Sequence, residues 1–163
     1  MLPTTPPPQT IYPLLMPQSL SLVIIHLVFS TKDRTPNLTK QITTDLYPYL
    51  ANIVRNIGCE CYRIGGAPDH VHLAIRLSRT TSIAKLVELT KTNSSKWLKT
   101  QSVKDFAWQN GYGCFSVAPA DLNPLLRYLD TQEEHHKKYD FKEEFLALLG
   151  KYGIEYDERH IWD

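Results

Sequence analysis

Hydrophobic and polar positions along the chain predict an alternation of strands and helices. Leu20 to Ser30 is rich in Leu, Val, Ile and Phe without polar alternation, the pattern of a central strand buried on both faces, and the polar run Thr31 to Thr35 ends it. After Pro36, apolar residues recur every three or four positions through Leu38, Ile42, Leu46, Tyr49, Ile53 and Ile57, which makes an amphipathic helix that Gly58 stops. Pro48 interrupts this pattern. It either kinks the helix or marks its true start, because it lacks an N–H and crowds the preceding turn.

Cys59 to Ile64 and His70 to Leu77 read as two strands joined by the tight loop Gly65-Gly66-Ala67-Pro68. Ser82 caps a second helix, whose inner side carries Ile83, Leu86, Val87, Trp97 and Leu98. Gly111 and Gly113 precede a short strand, Phe115 to Val117. Pro119 and Asp121 open a third helix, and Asp140 with Glu143 resembles the capping box of a fourth that ends near Gly150. This order predicts an α+β fold: an antiparallel sheet with helices packed on it, plus a C-terminal helical piece. Residues 1–18 stand apart, with six of the eleven prolines and no charge, as an arm that favours extended chain; residues 19–163 form a single domain.

Composition adds three points. A chain of 163 residues that is 42% hydrophobic and 21% charged can bury one core, which excludes a disordered tail protein. No apolar run approaches the roughly 20 residues of a membrane-spanning helix. The stretch Leu20 to Phe29 also lacks the basic start and small-residue cleavage site of a secretory signal, so the expected location is cytoplasmic. Three cysteines suit reduced thiols in that compartment. The net charge of +1 conceals an asymmetry: residues 1–129 carry +6 and the remainder −5. Five lysines and one glutamate lie between Lys85 and Lys104, either a face that attracts a polyanion or an ordinary solvated helix face.

Candidate chemistry gathers at two places. His70-Val71-His72 lies on a predicted strand, where side chains alternate, so both imidazoles leave one face and together can chelate a divalent metal. Tyr128 and Gln132 are four residues apart on the third helix and share a face, which places a phenol beside an amide oxygen. Each pair alone is weak, since either spacing arises readily by accident. If strand and helix face each other, two imidazoles and one amide hold a metal, with the phenol beside a metal-bound phosphate.

At these residues the chain resembles the single-tyrosine HUH transposases of very small bacterial insertion sequences, including their REP-associated relatives. The resemblance runs through His26-Leu27-Val28-Phe29-Ser30-Thr31-Lys32-Asp33-Arg34, Asp69-His70-Val71-His72-Leu73 and Trp108-Gln109-Asn110-Gly111-Tyr112-Gly113 with Phe115-Ser116-Val117. It continues through Tyr128 to Lys137, Phe141 to Leu149 and Tyr156 to Trp162, so it covers roughly residues 19–163. The resemblance implies a ferredoxin/RRM-like HUH fold and a bacterial enzyme, associated with the nucleoid when bound to DNA. Such an enzyme cleaves and rejoins single-stranded DNA at hairpin-marked element ends through a 5′-phosphotyrosine intermediate. It implies Tyr128 as nucleophile, His70, His72 and Gln132 as ligands of magnesium or manganese, and a homodimer whose active sites combine residues of both subunits. Thr131 departs from the Asn that relatives often carry before the glutamine, but lies off the ligand face.

Other residues carry two readings. Lys32 and Arg34 leave the first strand together and are candidates for phosphate contact, as are Lys91 and Lys96 on the lysine-rich helix. Trp108, Tyr112 and Phe115 either stack on unpaired bases or pack a core around Gly111 and Gly113. His135 and His136 are expected to favour a helix C-terminus without a catalytic role, and His26, in a buried strand, to be a hydrogen-bonded core residue or active-site neighbour rather than a ligand. Two rival functions exist. Cys59, Cys61, His70 and His72 form a Cys2His2 zinc module if the thiols share the imidazole face, although strand parity directs them to the opposite one. A domesticated relative would bind hairpins without cutting them.

Overall fold

The computed structural model describes residues 19–163, and the proline-rich arm lies outside the described residues. Four strands, β1 (Ile24–Ser30), β2 (Glu60–Ala67), β3 (His70–Arg76) and β4 (Gly113–Val117), form one antiparallel sheet in the order β2-β3-β1-β4. The first strand is shorter than the apolar run suggests. Every residue of Ile24–Ser30 is buried, whereas Leu20, Leu22 and Val23 are exposed ahead of it. Gly65, Gly66 and Ala67 belong to β2 rather than to a loop, and the hairpin turns at Pro68 and Asp69. This extension sets Gly65 opposite His72 and Ala67 opposite His70.

Two helices cover one face: α1 (Lys40–Asn56) and α2 (Ile83–Thr100). Thr39 and Ser82 cap them by accepting the backbone N–H of Ile42 and Lys85, and α1 ends where Gly58 takes a positive φ of 84°. Pro48 lies within α1 and does not mark its start. Leu27, Phe29, Val71, Leu73 and Ile75 from the sheet meet Leu46, Leu50, Leu86 and Leu98 from these helices in the main core. Cys59 belongs to that core, Cys61 packs against it, and Cys61 pairs with Ile75. Both thiols therefore lie on the face away from His70 and His72, and the Cys2His2 arrangement does not form.

The other face carries α3 (Leu122–Asp130), α4 (Gln132–His136) and α5 (Phe141–Lys151). The expected single third helix is broken at Thr131, whose φ of −105° and ψ of 16° separate α3 from α4. Asp140 and Glu143 form the expected capping box of α5. A smaller core of Val28, Phe115, Phe141, Phe145 and Leu149 holds α5 to the sheet. Trp108 and Phe115 are core residues: Trp108 packs on Phe29 and Phe106 and donates its ring N–H to Ser94 Oγ at 2.9 Å. Tyr112 is exposed. Among the described residues no helix is long and apolar enough to cross a membrane.

Candidate active site

Alternation along β3 sends Val71, Leu73 and Ile75 into the main core and leaves His70 and His72 facing α3 to α5. Both imidazoles are buried, as are Gln132 at the start of α4 and Glu144 in the first turns of α5. His72 Nε2 lies 2.7 Å from Glu144 Oε1, while His70 Nε2 lies 3.4 Å from the same oxygen and 3.3 Å from Gln132 Oε1. The sheet thus supplies two nitrogens and the helical layer two oxygens.

Despite their proximity, His72 Nε2 and Glu144 Oε1 make no hydrogen bond of acceptable geometry, and both are buried without another partner. Adjacent buried polar atoms left unpaired are costly, and a cation between them would satisfy both lone pairs. One ligand atom each from His70, His72 and Glu144 lies within 4.8 Å of the others. Two imidazoles, a carboxylate and an amide oxygen suit a divalent cation such as manganese or magnesium, so the residues present fit the metal that the sequence implies.

Hydrogen bonds behind the ligand atoms orient them. Asp69, in the β2–β3 turn, places Oδ1 2.7 Å from His70 Nδ1, and His26 on β1 places Nε2 2.7 Å from His72 Nδ1. Burial alone would lower the pKa of His70, but the hydrogen bond to Asp69 and the nearby Glu144 carboxylate outweigh it and raise it to about 9. Burial dominates at His72 and lowers it, and it also holds His26 well below the ordinary imidazole value. Burial pushes the Glu144 carboxyl up, yet the close imidazoles of His70 and His72, together with the Tyr128 phenol, reverse this and hold it far below the carboxylate range. Tyr128 is shifted upward, first by burial and then by the charge of Glu144.

Tyr128 projects from α3 so that its ring centroid lies 5.7 Å from that of His72 and 5.3 Å from that of His135. The phenol, both histidines and Gln132 therefore meet within one chain, although the resemblance implied an exchange between two subunits. Beside the phenol opens a cavity of about 840 Å³, lined among others by His26, Leu125, Tyr128, Tyr139, Leu148 and Tyr152.

Two members of the cluster were not expected there. Glu144 accompanies Phe141, Phe145 and Leu149 on the buried side of α5, and a carboxylate on an apolar stripe is the signal that could have identified it. His135 was expected only to favour a helix end, but its Nε2 lies 3.2 Å from Glu144 Oε2. Tyr128, Gln132 and His135 stand at positions i, i+4 and i+7, a spacing that already puts all three on one face.

The candidate phosphate contacts divide. Lys32 is exposed and Arg34 half-buried, just after β1, where Thr31 bonds the carbonyl of Asp69. Lys91 instead donates to the carbonyls of Gln109, Asn110 and Gly111 at 2.8, 3.3 and 2.6 Å, and burial lowers its pKa to about 8. Lys96 is exposed on α2, across the sheet from the histidines.

The family model described as "Transposase IS200 like" matches residues 19–132. No curated protein matches the chain significantly. A crystal structure from Deinococcus radiodurans R1, provisionally assigned as a transposase, aligns with a TM-score of 0.58 and 20% identity over 71% of this chain and 94% of that one. A REP-associated tyrosine transposase bound to a REP hairpin aligns with a TM-score of 0.56 and 13% identity over 83% of this chain and 85% of that one. At such identities the two structures establish the shared fold, and the family match extends over more than half of the residues. The chain belongs to the IS200-like transposase family.

Proposed function

We propose that this transposase cleaves and rejoins single-stranded DNA at hairpin-marked ends, with Tyr128 as nucleophile and His70, His72, Gln132 and Glu144 as the metal-binding set. The observation that carries the reading is the convergence of two imidazole nitrogens, a carboxylate and an amide oxygen beside a phenol. When bound there, magnesium or manganese would supply Lewis-acid polarisation of the scissile phosphate. The Tyr128 oxygen forms a bond to phosphorus as the bond to the 3′ oxygen breaks, giving a 5′-phosphotyrosine and a free 3′-hydroxyl. Burial and the charge of Glu144 favour the neutral phenol at Tyr128, so its proton must be taken up as it reacts, and the neighbouring Glu144 carboxylate, which also faces His135, is the proposed acceptor. Attack by another 3′-hydroxyl reverses the step and joins strands without an external energy source.

The cavity beside Tyr128 gives an unpaired strand room to approach, and Lys32 and Arg34 at the end of β1 are the proposed phosphate contacts. Because every group comes from one chain, the proposal is cleavage in cis; a homodimer that exchanges tyrosine helices requires α3 and α4 to leave β2. The test is incubation of a labelled single-stranded hairpin substrate with manganese or magnesium. Wild type should form a covalent product and Tyr128→Phe none, while His70→Ala should bind the hairpin without cutting it. Binding by wild type without any covalent product would favour the non-cleaving relative, and joint loss of folding and cleavage in His70→Ala would favour a structural histidine.

A further inference from the structure

His26 is a buried histidine with no part in the proposed phosphoryl transfer. It sits on β1, 3% exposed, opposite Ala74 of β3 and Phe115 of β4, on the same face of the sheet as His72. Its Nε2 approaches His72 Nδ1 at 2.7 Å, with ring centroids 5.0 Å apart and planes inclined by 25°. Neighbouring positions of β1 on this face show that an apolar side chain packs here, since Val28 is completely buried. Burying an imidazole instead is unfavourable unless its hydrogen bond is used.

We infer that His26 is a positioning residue that accepts the Nδ1–H of His72 and so fixes the His72 tautomer whose Nε2 lone pair faces the cation site. A hydrogen bond between two neutral imidazoles contains one proton, so the direction of donation decides which nitrogen of His72 is free. Donation from His26 would place the His72 proton on Nε2, where Glu144 Oε1 at 2.7 Å makes no hydrogen bond of acceptable geometry with it. Donation from His72 leaves Nε2 as a lone pair beside that carboxylate. His26 thus does for His72 what Asp69 does for His70, with one difference. Asp69 offers a carboxylate oxygen at 2.7 Å from the β2–β3 turn, whereas His26 offers a ring nitrogen at 2.7 Å from the neighbouring strand β1.

This inference rests on the metal-binding reading above, and the experiment separates the two. Manganese affinity of the full chain is measured by calorimetry for wild type, His26→Leu and His26→Gln, each first checked for folding by circular dichroism. In parallel, the side-chain nitrogen resonances of His72 are recorded in the magnesium-loaded wild type. His26→Leu is expected to weaken manganese binding about 10–100-fold, the usual effect of removing a hydrogen-bond partner behind a ligand. His26→Gln, whose amide oxygen can accept the same bond, should restore most of that loss, and His72 should carry its proton on Nδ1. Equal manganese affinity in wild type and His26→Leu, no rescue by His26→Gln, or a proton on His72 Nε2 would overturn the inference. Failure of wild type to bind manganese would overturn the metal-binding reading itself. If His26→Leu does not fold, His26→Gln and the wild-type resonances still decide.

Discussion

Gly65 offers a test of how the fold delivers Tyr128 to the histidines. In β2 it pairs with His72, and α3 passes so close that a Cβ added at Gly65 would drive into the carbonyl oxygen of Leu129 and stand 2.9 Å from its carbonyl carbon. The obstacle is backbone, and Arg63 and Asp130 tie the same strand to the same helix at 2.7 Å, so no side chain can swing aside. Restoring an ordinary carbon–carbon contact of about 3.5–4.0 Å separates α3 from β2 by about 1 Å in Gly65→Ala. Tyr128, adjacent to Leu129, moves with it. Overpacking should cost about 1–3 kcal/mol, and a nucleophile displaced by about 1 Å should lose roughly 100-fold in rate. The assay is single-turnover formation of the covalent product, alongside thermal denaturation and manganese titration. The substitution should slow cleavage much more than it weakens manganese binding, because three of the four proposed ligands, His70, His72 and Glu144, stand on other elements and only Gln132 follows α3. Gly150→Ala is the matched control: nothing lies within 4 Å of an added Cβ, so it should leave the rate unchanged and stabilise α5 by about 0.5–1 kcal/mol. Wild-type cleavage and stability in Gly65→Ala would refute the close-approach argument.

Three further outcomes follow from the site and its surroundings. Glu144→Gln keeps the side-chain shape but removes the charge that meets three imidazoles, so manganese affinity measured by calorimetry should fall by at least about tenfold. The raised pKa of His70 makes a protonated, metal-free site contribute stability that is complete below the unfolded value and lost as pH rises through about 9. Melting temperature in chelator should therefore fall from pH 6.5 to 9, whereas manganese affinity should rise over the same range as the competing proton leaves; parallel trends would contradict this. Lys91→Met removes the ammonium that three carbonyls share and should cost about 1–3 kcal/mol in denaturation, with hairpin affinity and its salt dependence unchanged. A reduced salt slope would instead restore Lys91 as a phosphate contact.

Local patterns foretold what local forces decide. The alternation of His70-Val71-His72 around an apolar core, the Ser82 cap and the Asp140–Glu143 box all appear as expected, because each depends on residues within one turn or one strand. Tertiary contact decided the rest. Gly65 and Gly66 resemble loop residues, yet they extend β2 because the missing side chains admit the backbones of Leu129 and His70. Leu20, Leu22 and Val23 continue the apolar run of β1 but lie outside its ladder, so hydrophobicity alone overextended the strand. Lys91 looked like part of a basic face until the loop at residues 109–111 folded over it. Glu144 was hidden by its own capping box, which explained the neighbouring Glu143 and drew attention from the carboxylate on the buried side.

The central claim concerns one covalent bond. Full-length protein incubated with a single-stranded hairpin substrate and manganese, then digested and analysed by mass spectrometry, should yield one peptide carrying a 5′-phosphorylated nucleotide on Tyr128. The modification should vanish in chelator and in His72→Ala. Cleavage with no protein-linked nucleotide, or with the link on another residue, would contradict the account.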